Sequence, residues 1–87
     1  MSDEKGRLDR LVEDLKAERD ELRLKMHLAQ ADARDQWDEM EKKWRQLEGK
    51  LASAGREAGA AGKDIGAAAD LLAEQLAAGY RRIRKRL

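Results

Sequence analysis

The chain has no cysteine, no proline and no phenylalanine, and its aromatic residues are two tryptophans and one tyrosine among 87 residues. Without cysteine there are no disulfides, no thiolate chemistry and no cysteine-bound zinc, and the chain suits a reducing compartment. Without proline there is no obligatory helix stop anywhere in the sequence. No apolar run approaches the roughly 20 residues that span a bilayer. The opening "MSDEKGRLDR" is polar and acidic, unlike a secretory signal, so a soluble cytoplasmic protein is expected.

What remains is mostly Leu and Ala set among 43% charged residues. That mixture belongs to long helices that bury one stripe against other helices. The length allows one small domain at most, and a lone chain of this kind buries little apolar surface. Association with further copies is therefore expected. The net charge is +1, too small for a global field that attracts nucleic acid. Its distribution is uneven. Residues 1–48 hold 11 bases and 14 acids, whereas residues 49–87 hold 8 bases and 4 acids.

The apolar positions run Leu8, Val12, Leu15, Arg19, Leu22, Met26, Ala29, Ala33, Trp37, Met40, Trp44, Leu47 and Leu51. They continue Ala54, Ala58, Ala61, Ile65, Ala68, Leu72, Leu76, Tyr80, Ile83 and Leu87. Steps of four and three alternate, the coiled-coil spacing. Extra steps of four at Ala33–Trp37 and Leu72–Leu76–Tyr80 are stutters that locally unwind a supercoil. Arg19 is the one charged member and reads as a register-setting defect. An oligomer interface is expected on Leu15, Leu22, Met26, Trp37, Met40, Trp44, Leu47, Leu51, Ile65, Leu72, Leu76 and Ile83. Trp37 and Trp44 are its bulky anchors, as a binding hot spot or as plain structural knobs. Ser2, Asp3 and Glu4 suit a helix start. The pairs Glu21–Lys25, Asp38–Lys42, Glu39–Lys43 and Glu41–Arg45 have the favourable acid-before-base order.

Gly55, Gly59, Gly62 and Gly66, in "ASAGREAGAAGKDIGAAAD", are themselves spaced four, three and four, one residue after stripe positions. Ala69 and Ala73 extend the row. A row of small residues in helical phase reads as a close-packing seam between helices. Each glycine costs about 1 kcal/mol relative to alanine inside a helix, and "GKDIG" also reads as a stop followed by an N-cap at Asp64. Two all-α architectures follow. One is an elongated coiled coil or helical bundle built from a single long helix, about 130 Å if unbroken. The other is a long helical hairpin that bends in the Gly/Ala-rich segment, its second arm starting near Asp64. Either way residues 1–51 are a charged, Trp-bearing helix, 52–70 a seam or hinge, and 71–87 a basic amphipathic helix. Antiparallel neighbours are favoured, because they set the basic "RRIRKR" beside the acidic "DRLVEDLKAERDE".

Chemistry-bearing clusters are sparse. Met26 and His27 are adjacent, a pairing copper uses, but Met26 is on the stripe and no carboxylate neighbours His27. Asp32, Asp35 and Glu39 share a face that suits a divalent cation or acid–base work, and equally a solvated helix face. The single histidine has no evident partner, so the expectation is a protein that is not an enzyme and uses neither metal nor cofactor. In the tail "LLAEQLAAGYRRIRKRL", Leu72, Leu76, Tyr80, Ile83 and Leu87 share one face, while Arg81, Arg82, Arg84, Lys85 and Arg86 surround it. Such a helix suits an anionic membrane surface, an acidic protein or another polyanion. It equally suits a helix end whose bases complement the dipole and whose apolar face joins a core. Nucleic acid fits less well, since only Tyr80 is interleaved with the bases.

The stretch "DELRLKMHLAQADARDQWDEMEKKWRQLEGKL", followed by the Gly/Ala-rich part and the amphipathic end, resembles small uncharacterised bacterial coiled-coil proteins. The resemblance implies a helical fold, a bacterial cytosolic origin and no assigned activity. The first function expected is thus a non-enzymatic, homo-oligomeric coiled-coil interaction or structural protein. The second is a peripheral binder of anionic membrane or another polyanion through the basic C-terminal helix.

Overall fold

A computed structural model describes the backbone of residues 3–56 and 60–87, and the side chains of residues 6–53 and 63–87. The described residues form three helices: α1 (Asp3–Lys25), α2 (Ala31–Arg56) and α3 (Ala60–Lys85). A short 3-10 turn, Met26–Leu28, links the first two. The molecule measures 45 × 20 × 16 Å, so the chain is folded back on itself and is not the rod of a single helix.

Cross-helix pairs give the directions. Lys43 reaches Gln75, Trp37 stacks on Tyr80, and Arg86 faces Asp32, so α2 and α3 are antiparallel. Arg7 pairs with Asp70 and Arg84 with Glu21, so α1 runs parallel to α3. The chain goes up, down and up. Both the end of α2 at Arg56 and the start of α3 at Ala60 lie in the Gly/Ala-rich segment, and the third helix begins at Ala60 instead of near Asp64.

The first reversal comes as a correction to the continuous stripe. Residues 26–30 contain neither glycine nor proline, and local preference there favours helix. The backbone nonetheless leaves the helix at Ala29, with φ −80° and ψ 151°. The Ala29 amide donates to the Met26 carbonyl at 3.2 Å, and the Arg34 amide to the Gln30 carbonyl at 3.1 Å. The Arg34 guanidinium donates to the His27 carbonyl at 3.3 Å, which satisfies a carbonyl that the broken helix leaves open. Asp32 lies in the first turn of α2, where its charge suits the helix N-terminus. A lone unbroken rod would leave its stripe exposed to water. Folding back buries it, at about 1.5–3 kcal/mol for each large side chain.

The buried core alternates four and three on each facing helix. It takes Ala33, Trp37, Met40, Trp44 and Leu47 from α2, and Ala69, Ala73, Leu76, Tyr80 and Ile83 from α3. Leu15 and Leu22 of α1, and Met26 at the elbow, close it from the third side. All three aromatic residues are inside. Trp37 and Tyr80 stack with centroids 6.1 Å apart. No described helix is long and apolar enough to cross a membrane.

Candidate functional site

The residues expected to line an oligomer interface build the interior of one chain. Leu15, Leu22, Met26, Trp37, Met40, Trp44, Leu47, Leu76 and Ile83 are buried, and Leu51, Ile65 and Leu72 are partly so. One charged member of the stripe stays with them. The Arg19 guanidinium donates twice to the Glu41 carboxylate, at 2.7 and 2.8 Å, and lies 5.3 Å from the Trp44 ring centroid. Its hydrogen bonds hold the Glu41 carboxyl below the usual carboxylate range, and Glu41 in turn raises Arg19. Arg19 is therefore a cross-link between α1 and α2. Its carboxylate partner comes from another helix, so no local spacing announces it.

The same competition rearranges the expected helix-face pairs. Glu21 and Lys25 do meet, at 3.4 Å. Glu41, however, turns to Arg19, Lys43 to Gln75, and Glu39 to Lys42.

Of the four glycines expected to form a close-packing seam, the structure describes the surroundings of Gly66. A Cβ added at Gly66 would meet nothing within 4 Å. Gly55, Gly59 and Gly62 lie outside the residues whose surroundings are described. Close approach is made by the fully buried Ala69 and Ala73, which extend the glycine row, and by Gly79, which lies against Met40. Small size matters where a facing residue is large, and Gly66 has no such neighbour.

Met26 and His27 diverge: the methionine is buried and the histidine is exposed. Asp32, Asp35 and Glu39 are exposed, with Asp32 3.7 Å from Arg86. Among the described residues no three metal-ligating side chains converge. A shallow, open depression along α2, lined by Gln46, Gly49, Lys50 and Ser53, contains no acid–base pair.

One end of the bundle is chemically distinctive. The ion pairs of Arg84 with Glu21 and Arg86 with Asp32 bring the end of α3 beside the last turn of α1 and the first turn of α2. The acidic partners come from the expected segment, since Arg84 also reaches Glu18 at 3.4 Å. The pairing is made within one chain, where α2 and α3 are antiparallel and α1 and α3 are parallel. With α2 interposed, the first and third helices are parallel by topology, and the C-terminal half of α1 supplies the carboxylates. Arg84 lowers the carboxyl of Glu21, helped by Lys25.

Arg81, Arg82 and Lys85 make no ion pair with any described residue and are exposed. The apolar face of the tail is not available with them, because Leu76, Tyr80 and Ile83 are fully buried. Two other leucines are. Leu24 and Leu28, off the stripe and four residues apart, are 73% and 94% exposed. Their spacing and their place off the stripe were legible in the sequence, but became meaningful only once the elbow was seen. No family model, no curated protein and no solved structure matches this chain.

Proposed function

We propose that this protein is a non-enzymatic helical interaction module that docks on negatively charged surfaces through the end of the bundle where α1, α2 and the tail of α3 meet. One observation carries the reading. Residues 20–35 and 81–87, which the fold gathers at this end, hold 8 bases and 4 acids, whereas the other 64 residues hold 11 bases and 14 acids. A charge distribution this lopsided orients the molecule towards a polyanion even though the net charge is only +1. The free cations Arg81, Arg82 and Lys85 are the contacts, and Arg84 and Arg86 are held back by Glu18, Glu21 and Asp32.

Nucleic acid is disfavoured as the polyanion, since Trp37, Trp44 and Tyr80 are all in the core and leave no stacking platform beside the bases. Self-association through the stripe is not needed to bury it, because one chain does so alone. In this reading coiled-coil character is confined to the antiparallel α2–α3 pair.

The test is sedimentation with phosphatidylglycerol vesicles and retention by immobilised polyphosphate, for wild type and the triple variant Arg81→Gln, Arg82→Gln, Lys85→Gln. At about 1 kcal/mol per base near an anionic surface, the variant should bind vesicles roughly 100-fold more weakly. Binding of wild type should also fade between about 0.05 and 0.5 M salt. Equal binding by both proteins removes the basic end from the account.

A further inference from the structure

Four large apolar side chains stand out as exposed among the described residues, and three of them, Leu24, Leu28 and Leu87, are at the basic end. We propose that the elbow between α1 and α2 is a lipid-inserting tip, in which Leu24 and Leu28 enter the interfacial layer of an anionic bilayer while the surrounding bases hold lipid phosphates. The inference rests on docking by the basic end, and it names the source of the negative charge.

The argument is one of complementarity. Arg23 and Lys25 flank Leu24 in sequence, and Leu28 follows on the 3-10 turn, 94% exposed. A soluble polyanion meets the charges but offers no apolar phase for the leucines. A bilayer surface offers both, phosphate at the headgroup and hydrocarbon a few ångströms deeper. The tail cannot serve as the inserting element by lying flat on the membrane, since Tyr80 and Ile83 are committed to the core. The elbow needs no unfolding to reach the lipid. Its leucines are outside the core cluster and free to leave water without disturbing the fold.

The absence of native cysteine makes a direct test simple. The variant Leu28→Cys is labelled with an environment-sensitive fluorophore and mixed with vesicles of phosphatidylglycerol and phosphatidylcholine, with phosphatidylcholine vesicles, and with polyphosphate. The expected result is a blue shift with the anionic vesicles alone. In parallel, Leu24→Ser combined with Leu28→Ser should keep its helicity and partition about tenfold less onto anionic vesicles, as loss of apolar burial predicts. Vesicle binding with no blue shift, or undiminished binding by the serine variant, overturns insertion and leaves electrostatic docking standing. A blue shift that grows with protein concentration without vesicles also overturns it, because the leucines then meet a second copy. No binding to any anionic surface fails the docking reading itself.

Discussion

Gly79 faces the side chain of Met40 so closely that an added Cβ would collide with the Met40 sulfur and approach its Cε to 2.9 Å. The two helices therefore touch where α3 has no side chain. Gly79→Ala gains about 1 kcal/mol of helix propensity but overpacks the contact, a cost of about 1–3 kcal/mol. We expect a net loss of about 1 kcal/mol, larger for Gly79→Val. In a Met40→Ala background the same change should become neutral or favourable. Urea melts of the four proteins in this cycle measure the coupling.

Gly66 provides the contrast. It is inside α3 with open space where a Cβ would go, so Gly66→Ala should stabilise by about 1 kcal/mol. In a domain of this size the melting temperature should rise by about 4–8 °C. A fall on thermal denaturation would return Gly66 to the packing seam.

The Arg19–Glu41 pair predicts an acid dependence. Glu41 is held below its ordinary carboxyl range by Arg19, so its contribution is complete above about pH 4.3 and is lost as pH falls through the lowered folded value. Wild type should lose stability on that acid limb, and Glu41→Gln should lose less of it. At pH 7 the substitution should cost about 1 kcal/mol, since it leaves a partly buried guanidinium without its charged partner. Denaturant melts between pH 7 and pH 2.5 read both effects, and parallel limbs for the two proteins would contradict the assignment.

Tyr80 is fully buried and its hydroxyl has no hydrogen-bond partner among the described residues. Burial pushes its ionisation well above the ordinary range. Tyr80→Phe keeps the stack on Trp37 and removes a desolvated hydroxyl. Its stability should be unchanged or raised by up to about 1–2 kcal/mol, whereas Tyr80→Ala should lose about 3–5 kcal/mol. A marked loss for phenylalanine would show that the hydroxyl is satisfied in solution.

Because the stripe is buried within one chain, the melting temperature should not vary with protein concentration, and sedimentation should give a mass near 9.9 kDa. A melt that rises with concentration would restore self-association as the way the stripe is completed.

Helical class and the identity of most core residues were legible in the sequence, and so was the phase of the stripe, except that Ala69 and Ala73 take the core places expected for Ala68 and Leu72 and no stutter precedes Leu76. Alternation of four and three selects one helix face whatever that face meets. Leu15, Leu22, Trp37, Met40, Trp44 and Leu47 are buried for that reason. The pattern carries no information about which chain supplies the opposing face. A stripe is equally satisfied by a second copy or by the same chain turned back, and the turn at Ala29 has no glycine or proline to mark it. Only the tertiary structure decided that Arg19 meets Glu41, that Gly79 and not Gly66 is the close contact, and that Leu24 and Leu28 share an end with the basic tail. Each of these joins residues more than 20 positions apart, or depends on such a pairing, and local spacing determines neighbours only within a few turns of one helix.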